Sequence, residues 1–284
     1  MSDTTVILQL ICPDRAGLVS ELATWVANHN GNIRHADHHT DEAEGLFLSR
    51  IEWDLEGFKL TRDLIQESVR SLAVKMNGQA QLNFSDELPR VAIFVSKQSH
   101  CLLDLLWRVS SGEIKIQVPV VISNHKDLSS ITKDFSVDFK YIPINSGNKI
   151  GSEKQIIQTL FDYRIDLIVL AKYMQILSAE FIAQFPTIIN IHHSFLPAFK
   201  GAKPYHQAWK RGVKIIGATA HYVTPLLDDG PIIEQIIEHV SHRDEVEDLI
   251  RKGRDVERIA LSRALRLHIR RQVMVYNGRT AIFA

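Results

Sequence analysis

Two strand-length runs beyond residue 90 are apolar at every position, Val91-Ala92-Ile93-Phe94-Val95 and Leu167-Ile168-Val169-Leu170-Ala171, and a third, Ile188-Ile189-Asn190-Ile191-His192, is apolar except at Asn190 and His192. A strand without polar alternation has no face to offer water, so each must be covered on both sides, as in a parallel sheet between helices. The intervening segments supply that cover. Leu102, Leu103, Leu106 and Val109 recur at helical spacing, and residues 150–162 and 178–185 read the same way. Further strands are expected near 114–122 and 138–142. Alternating strands and helices predict a doubly wound, mostly parallel α/β domain. Past residue 200 the pattern changes to a short helix around 203–211 and strands near 214–224 and 231–239. A helical stretch over 244–270 follows, with a break at Gly253.

Residues 1–84 read differently. Thr5-Val6-Ile7-Leu8-Gln9-Leu10-Ile11 predicts a strand. Leu18, Leu22, Trp25 and Val26 place a helix over about 16–29, stopped by Asn30-Gly31. A strand pair at 32–39 and 45–53, an amphipathic helix through Leu60, Leu64, Ile65, Val69 and Leu72, and a strand at 79–84 complete a β-α-β-β-α-β order. That order is a ferredoxin-like split βαβ unit with both helices on one face of a small sheet. The polar stretch from Asn83 to Arg90, with Pro89 at its end, marks a linker. The expected domains are therefore 1–84 and 90–284, joined by 85–89. Charge changes across the seam too: 12 acidic and 7 basic side chains before residue 85, 21 and 26 after it.

Composition removes several classes of function. Over 284 residues, 33 Lys and Arg balance 33 Asp and Glu, which argues against a nucleic-acid or anionic-membrane binder. No apolar run approaches the ~18 residues of a spanning helix. The start, Met1-Ser2-Asp3-Thr4-Thr5, has neither the basic nor the apolar part of a secretory signal. Cys12 and Cys101 stand in separate regions without CxxC spacing, as expected of reduced thiols in a cytoplasmic protein. Cys101 opens an apolar helical stretch and is expected in the core, not as a nucleophile. His35, His38 and His39 lack structural-zinc spacing, and no metal is expected. The tail at 242–271, with nine basic and six acidic residues, reads as ion-paired helix surface.

In an open parallel sheet, ligands bind beyond the carboxyl ends of the strands, and three polar features fall there. Asn190 and His192 alternate onto one face of a strand end. An amide and an imidazole side by side can donate to one developing oxyanion, although a polar strand end bonded to nearby backbone has the same spacing. The run from His221 to Pro231 carries Asp228-Asp229-Gly230-Pro231, a tight loop that by itself is also ordinary turn chemistry. The third feature is Ala171-Lys172-Tyr173-Met174-Gln175-Ile176-Leu177, directly after a parallel strand. Free main-chain amides there can bind a heterocycle; a plain βα loop reads identically.

Taken in order, three segments resemble the formyltransferase family that uses 10-formyltetrahydrofolate. They are Asn190-Ile191-His192, Ser194-Phe195-Leu196-Pro197 with Gly201 four residues on, and Asp228 before Gly230-Pro231. The resemblance covers about residues 90–240. It implies Asn190, His192 and Asp228 as the catalytic trio. It implies a pterin pocket lined by Tyr173, Met174, Gln175, Ile176 and Leu177, with His221 supporting the site. Residues 1–84 resemble an ACT domain, with Pro13-Asp14-Arg15-Ala16-Gly17-Leu18-Val19 as the first-turn motif. Such domains pair side by side and bind amino acids. The resemblance thus implies an effector site at Asp14, Arg15 and Gly17, with glycine or methionine as the effector, and a homo-oligomer, either dimer or tetramer. An ACT domain before a formyltransferase domain resembles the deformylases that hydrolyse 10-formyltetrahydrofolate to formate and tetrahydrofolate, supplying formate for purine synthesis and balancing the one-carbon folate pool. Gly253-Arg254-Asp255-Val256-Glu257 and Asn277-Gly278-Arg279-Thr280 also look like that family. A folate substrate is implied, and no cofactor.

One departure separates hydrolysis from transfer. In the transferases acting on glycinamide ribonucleotide, the first strand leads into a glycine- and serine-rich loop whose amides cradle a phosphate, which requires small side chains. Here the turn is Ser96-Lys97-Gln98-Ser99-His100-Cys101, without glycine; Lys97 remains to meet an anion. Transfer to an amine such as glycinamide ribonucleotide is the alternative. A non-catalytic folate or amino-acid sensor would have no use for Asn190, His192 and Asp228. The expected chemistry sets water against the formyl carbon. Asp228, directly or through water, takes its proton and relays one toward N10, while Asn190 and a protonated His192 hold the oxyanion. Aligned on Gly230-Pro231, the family's aspartate falls on Asp228 and not Asp229.

Overall fold

The structure, a computed structural model, describes residues 4–145, 147–185, 187–197 and 204–284. It divides into two compact units. One comprises Met1–Leu88, Arg271–Met274 and Ala281–Ala284; the other comprises Pro89–Arg270 and Val275–Thr280.

The first unit runs β1 (Thr5–Pro13), α1 (Leu18–Asn28), β2 (Ile33–Asp41), β3 (Leu46–Asp54), α2 (Arg62–Lys75) and β4 (Gln79–Phe84). Its four strands form an antiparallel sheet in the order β2-β3-β1-β4. Helix α1 begins two residues later than its spacing suggests because Gly17, at φ 91, takes the left-handed turn before it. Val6, Leu8 and Leu10 of β1 meet Leu22 of α1 and Ile65 and Val69 of α2 in one core. The opposite face of the sheet carries the cross-strand pair Gln9 and Arg50. Both are buried, and the C-terminal segment explains why. Gln9 Nε2 donates to Val273 O at 2.9 Å, and Arg50 Nε donates to Arg271 O at 3.0 Å. Strand β2 is exposed along nearly its whole length, a polar edge.

The second unit continues with β5 (Arg90–Val95), α3 (His100–Ser110), β6 (Gln117–Ser123), α4 (Ser129–Asp134), β7 (Asp138–Tyr141), α5 (Lys149–Asp162) and β8 (Leu167–Leu170). It goes on through α6 (Ala179–Gln184), β9 (Ile188–His192), α7 (Pro204–Arg211), β10 (Ile215–Tyr222), β11 (Ile232–His239) and α8 (Val246–Ile269). A hairpin of β12 (Val273–Tyr276) and β13 (Arg279–Ile282) ends the chain. The large sheet has the order β11-β10-β9-β8-β5-β6-β7. Strands β5 to β9 are parallel, and β10 and β11 are antiparallel to their neighbours. Every residue of β8 and all but the first of β5 are buried, as their unbroken apolar runs require.

Helix α8 corrects one expectation. It passes through Gly253 unbroken, opened by a capping box between Glu245 and Asp248. Gly253 is buried, and a Cβ there would lie 2.1 Å from Tyr205 Oη. The glycine makes room for a tyrosine and does not end the helix. Helix α4 and the β12–β13 hairpin are additions to the expected element order.

Candidate active site

The carboxyl end of β9 presents Asn190 and His192. Antiparallel β10 sets His221 directly opposite Asn190 and Thr219 opposite His192. A one-residue slip would turn this set to the other face of the sheet. The chain then leaves β10, makes the loop carrying Asp228, and returns at Pro231, where Tyr222 N–H donates to Pro231 O at 2.9 Å. Gly230 makes that closure possible, since a Cβ on it would lie 1.8 Å from Tyr222 O. Asp228 sits at φ 53, a left-handed conformation that Asp and Asn tolerate better than most residues. The loop brings Asp228 Oδ1 to 3.2 Å from His192 Nδ1 and 3.9 Å from His221 Nε2.

Hydrogen bonding settles the ring of His221. Its Nδ1 lies 2.8 Å from Tyr222 O, which can only accept, so Nδ1 carries the proton. Burial lowers its pKa, and the Tyr222 bond and Asp228 offset this only in part, so the ring is neutral near pH 7. Nε2 is therefore a lone pair facing Asn190 Nδ2 at 3.2 Å. Asn190 donates one amide hydrogen to it and keeps the other. The hydrogen bond from His192, with the attraction of that ring, holds the Asp228 carboxyl below its usual range against partial burial. His193, stacked on His192 at 4.9 Å between centroids, is pushed down to about 4 by burial, Lys172 and His192. His192 Nε2 is buried with no partner among the described residues.

A cavity of about 730 Å³ joins these groups. Asn190, His192, His221 and Asp228 line it together with Tyr173, Met174, Gln175, Ile176 and Leu177. Exposed Met174, Ile176, Leu226 and Leu227 give it an apolar rim. The run after β9 is clamped from beneath: Thr219 Oγ1 donates to Ser194 O and accepts from Leu196 N–H, at 2.9 and 3.0 Å. Gly201 lies outside the described residues. One expectation needs adjustment. The amide of Met174 is not free, because it donates to Ser96 Oγ at 2.9 Å. Tyr173 reaches the cavity from the core, its ring edge-on to Phe94 at 5.2 Å.

The sequence reading missed a second buried cluster next to the first. Glu257 accepts from His100 Nε2 at 2.6 Å, from Lys172 Nζ at 3.2 Å and from Tyr205 Oη at 2.8 Å. Burial raises its pKa, but the His100 bond, the Lys172 charge and the Tyr205 bond overcome this and hold the carboxyl down at about 2. The 242–271 tail is thus an ion-paired surface on its outer side only, as at Arg251–Asp248 and Lys252–Asp244. Cys101 is buried alongside, and burial followed by the Glu257 charge pushes its thiol well up, which suits packing and not nucleophilic attack. Potential ligand atoms of His100, Cys101 and Glu257 lie within 4.8 Å of one another. Both Glu257 oxygens are already engaged, however, and a metal cation there would face the Lys172 ammonium. His38, from the histidine-rich strand β2, pairs with Ser49 Oγ at 3.0 Å.

Comparison with known proteins draws the two halves together. Residues 89–265 match the family model of formyl transferases, and residues 6–74 match that of ACT domains. The formyltetrahydrofolate deformylase of Synechocystis sp. is 55% identical over 284 residues, covering 100% of both chains. The chain belongs to the formyltetrahydrofolate deformylase family. A solved deformylase structure from Pseudomonas syringae pv. tomato superposes with a TM-score of 0.97 at 41% identity, covering 100% of this chain and 96% of that one. A glycinamide ribonucleotide transformylase from Symbiobacterium toebii matches at 30% identity with a TM-score of 0.66, covering 72% of this chain and 98% of that one.

In this member of the deformylase family, Asp14, Arg15 and Gly17 line a second cavity of about 560 Å³ in the N-terminal unit, with Thr40 and Phe47 among its other walls. Arg15 is held there by Glu21 through two bonds of 2.7 and 3.0 Å. Among the described residues, no helix is long and apolar enough to cross a membrane.

Proposed function

We propose that this chain hydrolyses 10-formyltetrahydrofolate to formate and tetrahydrofolate, with Asn190, His192 and Asp228 as its catalytic groups. One observation carries the assignment of roles. His192 is held at Nδ1 by Asp228, while its Nε2 stays buried and unpartnered among the described residues. A ring fixed at one nitrogen and open at the other suits donation to an oxygen that arrives with the substrate. The pterin seats against residues 173–177, and the apolar rim covers it.

Water then attacks the formyl carbon. Asp228, directly or through a second water, accepts a proton from it. The oxyanion takes hydrogen bonds from protonated His192 and from the Asn190 hydrogen that His221 leaves free. On collapse the carbon–N10 bond breaks, the proton held at Asp228 passes to N10, and formate leaves with its remaining proton lost to solvent. Removing one oxyanion donor from such a site costs about 10²–10³ in turnover. The step draws on nothing beyond substrate, water and protein groups. It releases formate for purine synthesis and returns tetrahydrofolate to the one-carbon pool.

The N-terminal cavity at Asp14, Arg15 and Gly17 takes a small amino-acid effector, glycine or methionine, and the exposed edge of β2 supports side-by-side pairing into a homo-oligomer. The enzyme works in the cytoplasm. The deciding experiment incubates the full chain with 10-formyltetrahydrofolate and no amine. Formate and tetrahydrofolate should appear in equal amounts; formation of formylated product only when an amine is added would instead establish transfer.

A further inference from the structure

β5 and β8 are adjacent parallel strands that diverge: β5 leads to β6 and β7 on one side of the sheet, β8 to β9 and β10 on the other. The crevice beyond the carboxyl ends of such a pair is where open α/β sheets seat ligands. Here protein atoms fill it. His100, beyond β5, and Lys172, beyond β8, converge on Glu257 of α8, and Tyr205 closes the group. Ser96 N–H bonds Lys172 O across the gap at 3.2 Å. Lys172 holds φ 67, where glycine would sit without strain, and is only 6% exposed. The group adjoins the reacting centre. Lys172 and His193 line the same cavity as Asn190 and His192, and the His193 ring lies 4.9 Å from that of His192 and 6.3 Å from that of Tyr205.

We propose that Lys172 and Glu257, with His100 and Tyr205, form a plug that occupies the seat of an amine co-substrate and so reserves the formyl group for water; this rests on the hydrolytic reading above. Both nucleophiles use the same donors and base. With a primary amine, a nitrogen–carbon bond forms, the carbon–N10 bond breaks, one proton leaves the attacking nitrogen and one arrives at N10. What separates the two outcomes is room for the amine. A scaffold of the same fold serves a glycinamide ribonucleotide transformylase, whereas in this chain the switch-point crevice is closed by a buried ion pair. Lys172 acts by occupying space and positioning Glu257, not by touching the formyl group.

The test gives the full chain 10-formyltetrahydrofolate with millimolar glycinamide and measures the ratio of N-formylglycinamide to formate. Wild type should give formate alone at every amine concentration. Lys172→Gly, in a backbone conformation glycine prefers, should raise the amide-to-formate ratio about tenfold or more above the wild-type background, the scale on which emptying a few atoms from a pocket changes substrate choice. Lys172→Gly/Glu257→Gln, which also removes the carboxylate charge that Lys172 balanced, should do the same. Lys172→Asn, also at home in left-handed backbone and shorter than lysine, gives the same reading if the glycine variant does not fold. A ratio indistinguishable from wild type in folded variants overturns the proposal. So does failure of all three to fold, which would make the cluster scaffolding only. Absence of formate release from wild type strikes the hydrolytic reading instead, and is seen without any variant.

Discussion

Two histidine–carboxylate clusters stand side by side in the larger unit, and they differ in how completely they are satisfied. Around Glu257, whose side chain is 2% exposed, three donors occupy the carboxylate. Among the described residues, Asp228 has His192 Nδ1 at 3.2 Å and His221 Nε2 at 3.9 Å, and the far nitrogen of the His192 ring has no partner. A buried polar network with every member paired is rigid and sets shape; one left short of a partner is held ready for a ligand. Physically alike groups thus serve opposite ends, and the number of open hydrogen-bonding positions tells them apart.

The contrast can be broken most sharply at Glu257. Removing one partner of a buried ion pair costs about 3–5 kcal/mol, so Glu257→Ala should lower the urea midpoint strongly by stranding Lys172. A change too small to resolve would mean that the paired cluster is no firmer than the open one. Asp228→Asn should instead leave the urea curve near wild type, since asparagine also accepts left-handed backbone, while turnover falls by about 10² or more. KM should move little. His221→Leu frees Asn190 to rotate, and the loss of one orienting hydrogen bond should reduce kcat about tenfold, with far-ultraviolet circular dichroism unchanged.

Acid titration separates the clusters without a substitution. His193 and His221 have depressed pKa values, so the unfolded chain binds their protons first, and stability should begin to fall as pH drops below 6.5. Glu257 is depressed from 4.5 to about 2, so its contribution is complete above 4.5 and lost between those values. Glu257→Gln should flatten only this lower range in a series of urea melts; an unchanged pH slope there would show that Glu257 is not what fails in acid. The smallest expected effect is at Asp229. Asp229→Asn should stay within about threefold of wild type in kcat, well short of what a general acid–base group supplies. Equal losses at 228 and 229 would mean the loop presents the wrong carboxylate.

The open cluster was legible in the sequence and the closed one was not, for physical reasons. Asn190 and His192 are two apart on one strand, so alternation alone puts them on one face, whereas Asp228 came from the family resemblance aligned on Gly230-Pro231, and that Gly230 admits no side chain shows only in the fold. Lys172 and Glu257 are 85 residues apart, and Glu257 lies among charges whose helical spacing looks like a solvated surface. Nothing local marks Lys172 as left-handed. The apolar strands were equally plain, whereas α4 is six residues with one apolar side chain, and β12 and β13, though β12 is apolar throughout, are only four residues each. Gly253 was misread because its reason for being glycine, the Tyr205 hydroxyl, comes from another helix.

The partners of Gln9 and Arg50 have a consequence for biosynthesis. These side chains leave the ribosome early, yet the carbonyls that satisfy them belong to Val273 and Arg271, synthesised more than two hundred residues later. Until then the Gln9 amide on that face lacks the carbonyl it meets in the finished fold, and the Arg50 guanidinium, bonded to Glu52 at 2.8 Å, still lacks the one that takes its Nε hydrogen. The N-terminal unit can assemble its helical side during translation, but its native surface is finished only when the distal segment emerges. Expressed alone as residues 1–88, it would meet the ribosome-free world with that face still wet.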